Sequence, residues 1–161
     1  MAARVEKFSE IEDKFYEYIQ DIVYCSMITV DKKGRPRARV LLPIWETVDD
    51  RPVGWLAAYK TPVKAAHLAN NPATTYSYWN PRQNSVFVDA NSFWVDDPET
   101  KEYAWNLYRK GSPAGVGYNP RNFWRDPTDP KYGLIKIDSW RVQVLRGSDL
   151  SSRIWTDATQ L

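Results

Sequence analysis

Cysteine and histidine are almost absent from this sequence of 161 residues, which contains one of each. The single cysteine, Cys25, excludes an intrachain disulfide and is typical of a protein kept in a reducing compartment. With so few such ligands, a zinc site of the His/Cys type is not expected within one chain, and we predict no metal site. The single histidine, His67, lies inside a predicted helix, and we expect it to be structural.

Excess charge and long hydrophobic runs are also missing. The 22 Lys and Arg residues nearly balance the 20 Asp and Glu residues, and a net charge of +2 is too small to indicate nucleic acid as a partner. No apolar run approaches the roughly 20 residues that cross a membrane. The N-terminal segment MAARVEKFSEIEDK lacks the apolar core of a signal peptide. We therefore predict a cytoplasmic protein with neither nucleic acid nor a membrane as its partner.

Hydrophobic and aromatic residues are plentiful. The hydrophobic fraction is 43%, which is enough for a packed core, and the chain has eight Trp, ten Tyr and five Phe. Aromatic residues favour strands and also line pockets for flat ligands. The length is within the usual range for one domain, so we predict a single domain over residues 1–161.

The periodicity of the sequence predicts a mainly β fold with peripheral helices. Helices are predicted to begin at Ser9, Pro62 and Pro98. Strands are predicted over Cys25–Val30, Pro36–Thr47, Val53–Tyr59, Thr74–Trp79, Ser85–Val95 and Leu134–Arg146. Turns within the strand clusters are short, which favours antiparallel pairing. Six such strands fit a small closed or split barrel.

The segment Gly34–Pro43, GRPRARVLLP, places arginines on one face of a predicted strand. These arginines are Arg35, Arg37 and Arg39. An exposed strand face with arginine for solubility is one interpretation of the pattern. The other is a cation-bearing wall of a ligand site.

The segment Lys60–Pro72, KTPVKAAHLANNP, predicts a helix start suited to a phosphate. Thr61 can cap the helix, Pro62 fits its first position, and Lys64 falls in the first turn. A helix N-terminus has spare N–H groups and a partial positive charge. The same residues are compatible with an ordinary helix start and solvated lysines. Together with the arginine strand, however, they suggest a site for a phosphorylated cofactor.

These two segments, followed by SVFVDANSFWVDD, resemble the pyridoxamine 5′-phosphate oxidase-like superfamily of FMN-binding split barrels. The resemblance extends over about residues 16–144. The segment NFWRDPTDPKYGLIKIDSWRVQV is similar to the late loop and last strand of the stress-protein-like and oxidase-related members. The resemblance implies a six-stranded antiparallel split β-barrel, with FMN at the interface of a homodimer.

The resemblance also implies which residues bind the cofactor. Those positions are Arg37, Arg39, Val40, Leu41 and Leu42 on the arginine strand, Ala58, Tyr59, Lys60, Thr61 and Lys64 at the strand–helix corner, and Ser85 at the start of a later strand. The vitamin-B6 oxidases carry Arg-Lys where this chain has Val63-Lys64, and Lys where it has Pro43. We therefore expect a related member with an activity other than vitamin-B6 oxidation.

The function predicted from this resemblance is an FMN-dependent oxidoreductase acting on an unknown small organic substrate. A flavin carries its own redox chemistry, so the sequence does not indicate a catalytic side chain. We expect Tyr76, Tyr78, Trp79 and the aromatic loop Tyr118–Trp124 to form a pocket wall for a flat acceptor. The alternative is a non-catalytic protein that binds or carries a flavin, a deazaflavin or haem. An oligonucleotide-binding barrel is the least favoured reading, since the chain lacks a broad basic stripe.

Overall fold

A single branched β-sheet forms the frame of the protein in the computed structural model, which describes residues 2–111 and 118–160. Nine strands lie within these residues: β1 (Ala2–Val5), β2 (Cys25–Val30), β3 (Pro36–Leu41), β4 (Ile44–Val48), β5 (Arg51–Ala58), β6 (Ala73–Trp79), β7 (Ser85–Val95), β8 (Gly133–Leu145) and β9 (Ser152–Thr156). The α-helices are α1 (Glu12–Ile22), α2 (Pro62–Asn70) and α3 (Pro98–Gly111). Short 3-10 helices cover Phe8–Glu10, Pro120–Asn122 and Ala158–Gln160.

The long strand β8 is where the sheet branches. The main path is β1-β9-β8-β7-β6-β2-β3, while β5 pairs with the first half of β8 and carries β4. All of these pairs are antiparallel except β1 with β9. The mainly β, split-barrel fold is therefore confirmed, although the sheet does not close.

The predicted count of six strands is too low, for two reasons. The predicted strand from Pro36 to Thr47 divides into β3 and β4 at Leu42-Pro43, because proline has no N–H for a ladder and restricts its neighbour. The terminal strands β1 and β9 have four and five residues, which is too short for an alternation pattern to mark them. The other predicted strands are confirmed, and β2 and β7 match residue for residue.

The helix starts at Pro62 and Pro98 are confirmed, whereas the start at Ser9 is wrong. Ser9 lies in a 3-10 helix, and its backbone N–H donates to the carboxylate of Asp50 at 2.7 Å. Ser9 is thus held at the β4–β5 turn, and α1 begins three residues later, at Glu12.

Aromatic side chains fill the inside of the sheet beneath α1. Phe15 packs edge-on against Trp45 at a ring distance of 5.7 Å, and Trp45 in turn against Tyr76 at 5.9 Å. The Trp45 indole N–H donates to the Tyr78 hydroxyl at 2.8 Å, so this buried polar pair is satisfied. The helix α1 therefore packs against an aromatic core on the inner face of the sheet.

A second cluster fastens α3 to the break between β3 and β4. The buried Tyr108 hydroxyl donates to the Leu42 carbonyl at 2.7 Å, and the Ala57 N–H donates to it at 3.1 Å. These bonds hold the β3–β4 corner next to the end of β5, where the chain turns into α2. None of the helices in the described part of the chain has the length and apolar character needed to cross a membrane.

Candidate functional site

The corner between β5 and α2 is a tight turn with a capped helix start. The Thr61 N–H donates to the Tyr59 carbonyl at 2.9 Å, and Pro62 then begins α2. The Thr61 hydroxyl accepts the Lys64 N–H at 3.4 Å, which confirms Thr61 as the cap and leaves one fewer spare N–H at the helix start. Pro62 has no N–H, which leaves that of Val63 as the first-turn donor without a partner among the described residues.

Two cations meet at this corner without a counter-ion. Lys64 is only 8% exposed, and its Nζ donates to the Tyr59 carbonyl at 3.2 Å. Arg39 is half-buried on β3. Burial lowers the pKa of Lys64, and the positive charge of the nearby Arg39 lowers that pKa further. Burial also lowers the pKa of Arg39. Within residues 2–111 and 118–160, no carboxylate forms an ion pair with either side chain.

A buried hydroxyl connects Arg39 to the middle of α2. The Arg39 Nη1 donates to the Thr29 Oγ1 at 3.0 Å, and that oxygen lies 3.0 Å from the Nδ1 of His67. Thr29 follows Cys25 and Met27 on the inward face of β2 and is completely buried. The chain's single histidine is thus a buried member of the corner.

Lys60 points away from this group of residues. Its Nζ lies 5.3 Å from the centre of the Trp94 ring and 3.6 Å from the exposed carboxylate of Asp96. Lys60 is therefore an exposed cation paired with Asp96, whereas Lys64 is buried and has no carboxylate partner in the described part of the chain. This difference makes the two lysines a matched pair for experiment.

Aromatic residues of the late loop flank the corner. The Tyr59 ring packs on Trp124 at 5.1 Å, and the Tyr59 hydroxyl donates to the Phe123 carbonyl at 3.2 Å. Trp94, beneath Lys60, and Trp124 each bury an indole N–H that has no acceptor in the described part of the chain. The pair formed by Lys64 and Arg39, without a carboxylate partner among the described residues, suits an anionic, oxygen-rich group.

The arginine strand does not present all of its arginines to the corner. Arg37 lies 3.7 Å from Asp31, which also accepts from the Arg35 Nε at 2.8 Å. The backbone N–H of Arg35, reinforced by its side chain and by the Lys33 N–H, lowers the pKa of Asp31 to about 2. Asp31 therefore holds Arg35 and Arg37 at the β2–β3 hairpin.

The remaining predicted positions on this strand line its edge. Val40 is 68% exposed, on the face opposite Arg39. The Leu41 carbonyl accepts a weak bond from the Cys25 thiol, and the Leu42 carbonyl accepts from Tyr108. Because β3 pairs with β2 alone among the described strands, its outer backbone groups are open.

Ser85 lies far from the corner within one chain. It pairs with Trp79 and Leu145 at one end of β7. At the other end of β7, Val95 pairs with Leu134, next to the Gly133 that pairs with Ala58. An eleven-residue strand separates the two ends by on the order of 30 Å.

The expected aromatic wall is only partly correct. Tyr76 and Tyr78 are buried inside the core, and burial raises the pKa of both hydroxyls, so neither presents an exposed ring to a flat acceptor. Tyr78 contributes instead to the wall of a small cavity beside Trp45 and Leu42. Trp79 is exposed at the end of β6 near Ser85. Residues 112–117, which precede the predicted aromatic loop, lie outside the described part of the chain, whereas Phe123 and Trp124 of that loop do flank the corner.

The structure thus brings together Arg39, Tyr59, Thr61 and Lys64, turns the side chain of Lys60 away towards Asp96, and adds residues that the sequence analysis missed. The added residues are Thr29, Trp94 and Trp124, together with the contact made by His67. Thr29 had a detectable signal, since it is a polar residue on the inward side of an alternating strand. His67 lies three residues after Lys64 and hence on the same side of α2.

The structure is an open, mainly β split barrel, with two cations beside the N-terminus of α2. This is the class of fold that the sequence predicted. The chain belongs to the pyridoxamine 5′-phosphate oxidase family, whose sequence profile matches residues 11–145. This match confirms the predicted family. No curated protein matches the chain.

Solved structures share the fold at low sequence identity. A Clostridium acetobutylicum protein related to general stress protein 26 of B. subtilis has a TM-score of 0.67 at 13% identity, over 91% of this chain and 94% of that one. General stress protein 26 from Bacillus anthracis has a TM-score of 0.63 at 18% identity, over 84% and 93%. A pyridoxamine 5′-phosphate oxidase-related, FMN-binding protein from Nostoc punctiforme has a TM-score of 0.63 at 15% identity, over 84% and 83%.

Proposed function

We propose that the corner between β5 and α2 binds the phosphate of FMN, and that the protein is an FMN-dependent oxidoreductase acting on a small organic substrate. The observation that carries the proposal is the pair of desolvated cations, Arg39 and Lys64, without a counter-ion among the described residues. A dianion placed between them would relieve both their mutual repulsion and their lost hydration. Membership of the family and the FMN-binding relative support the choice of ligand.

Each residue of the corner has a defined part in this proposal. Lys64 and Arg39 would hold the phosphate by charge, and the Val63 N–H would add a donor at the helix start. The open edge of β3, from Arg39 to Leu41, offers backbone groups to the polar rim of the ring. FMN, when bound, would supply the hydride or electron transfer itself. Tyr59 and Trp124 would limit the access of water to the phosphate side.

The proposal includes a homodimer. Val40 is exposed on β3, and the outer edge of this strand has no partner among the described strands, so its open backbone groups are available for pairing with a second chain. In this proposal Ser85 contacts the cofactor from a second chain, because it lies at the other end of β7 from the β5–α2 turn. We also retain the cytoplasm as the proposed location.

The first test is the visible spectrum of the purified protein, followed by titration of the apoprotein with FMN and riboflavin. We expect flavin bands and a clear preference for FMN, because riboflavin lacks the phosphate. NADH or NADPH should then bleach the bound flavin under anaerobic conditions, and a suitable acceptor should restore its colour. A haem Soret band, or tight binding of a deazaflavin in place of FMN, would replace the proposed cofactor. Binding of FMN without any turnover would favour a carrier.

A further inference from the structure

Thr29 and His67 form a buried support behind Arg39. Thr29 is the only described residue that hydrogen-bonds the Arg39 guanidinium, and His67 contacts the same hydroxyl from α2. We propose that Thr29 and His67 are positioning residues that hold the Arg39 guanidinium at the cofactor phosphate, an inference that rests on the proposed FMN site. Neither residue would touch the cofactor.

The chemistry of the three groups fixes the direction of the hydrogen bonds. A guanidinium can only donate, so the Thr29 Oγ1 accepts from Arg39. The hydroxyl proton of Thr29 is completely buried, and the acceptor within reach in the described chain is the Nδ1 of His67. If His67 donated from Nδ1 instead, the Thr29 proton would be buried without an acceptor. We therefore assign to His67 the neutral form with its proton on Nε2.

Arg39 requires such a support because its surroundings push it outward. It is a long side chain at the sheet edge, and it faces the like charge of Lys64, which is held by the Tyr59 carbonyl. Without the bond to Thr29, the guanidinium would gain hydration and distance from Lys64 by turning into solvent. The hydrogen bonds from His67 on α2 through Thr29 on β2 to Arg39 oppose this movement. They therefore keep the guanidinium in place before the ligand binds.

The test compares two buried threonines that share the inward face of the sheet. Thr29→Val removes the hydroxyl and keeps the branched shape of the side chain. Thr74→Val is the matched control: Thr74 on β6 is 5% exposed, and its hydroxyl bonds to Ser92 at 2.7 Å, not to the corner. For each apoprotein, the dissociation constants of FMN and riboflavin are measured by quenching of flavin fluorescence. The ratio of the two constants is the phosphate preference.

We expect Thr29→Val to reduce the phosphate preference about tenfold, which is the scale of one charged hydrogen bond. Thr74→Val should leave the preference unchanged, even where it lowers the melting temperature by a similar amount. In an Arg39→Gln background, Thr29→Val should cause no further loss, because it acts through Arg39. Equal preferences for the Thr29 and Thr74 variants, or additive effects of the Thr29 and Arg39 changes, would overturn the inference.

Histidine variants supply a second and independent arm. His67→Asn places an amide oxygen near the position of Nδ1 and should retain the preference, whereas His67→Leu should lose it. Equal behaviour of these two variants would also contradict the inference, and this arm decides the question where Thr29→Val does not fold. A wild-type protein without any preference for FMN over riboflavin would instead refute the proposed phosphate site itself.

Discussion

Replacing Lys64 by methionine should change ligand affinity and apoprotein stability in opposite directions. Lys64 is buried beside Arg39 with one carbonyl partner. Its desolvation and its repulsion by Arg39 therefore lower the stability of the apoprotein. Methionine fills a similar volume without a charge. We therefore expect Lys64→Met to raise the melting temperature of the apoprotein while it weakens FMN binding.

The loss of affinity follows from the contact that disappears. A hydrogen bond from a charged donor to a phosphate is worth about 1.5–3 kcal/mol, which corresponds to a roughly ten- to hundredfold increase in the dissociation constant. Lys60 is the control, because its charge is exposed and paired with Asp96. An exposed pair of this kind contributes about 0–1 kcal/mol, so Lys60→Met should change FMN affinity only a few-fold.

The assay is a pair of titrations, with FMN and with riboflavin, alongside thermal unfolding of each apoprotein. Lys64→Met should lose FMN affinity and keep riboflavin affinity, because riboflavin makes no phosphate contact. The reasoning is refuted if Lys64→Met and Lys60→Met bind FMN equally well. It is also refuted if Lys64→Met destabilises the apoprotein, since the buried cation would then have a partner that the argument omits.

Three further predictions concern the core and the sheet edge. Burial raises the pKa of the Cys25 thiol to about 12, so Ellman's reagent at pH 8 should leave native protein unmodified and react at once after denaturation. Burial also raises the pKa of Tyr76 above its usual 10.0, so the stability that it gives while protonated should be lost as the pH rises above about 10; the last part of the tyrosinate absorbance change should coincide with the loss of circular dichroism, and complete ionisation with circular dichroism intact would contradict this. Val40→Glu should shift light scattering from dimer towards monomer, whereas Leu150→Glu, at a site 62% exposed in the β8–β9 turn, should not; a wild-type monomer would refute the proposed dimer.

The fold was largely predictable because its signals are local. Alternation at period two marks β2 and β7 to the residue, and proline at the first helical position marks α2 and α3. The start of α1 was not predictable, because Ser9 uses its N–H on Asp50, which is distant in sequence. The terminal strands β1 and β9 form because they pair with each other and because β9 pairs with β8. Such pairing cannot be recognised from the alternation of residues in segments of five residues or fewer.

The candidate site was predictable in its cations but not in their arrangement. Sequence spacing places Arg37 and Arg39 on one strand face, but it does not separate their roles. In the structure Arg37 contacts Asp31 at the hairpin, away from the corner, whereas Arg39 bonds to Thr29 beside α2. The helix start likewise predicts Lys64 in the first turn, but its burial depends on how α2 packs over β2. The property on which the proposed anion site rests is therefore tertiary: it requires two cations from separate elements, desolvated together, with the Thr29 hydroxyl between Arg39 and α2.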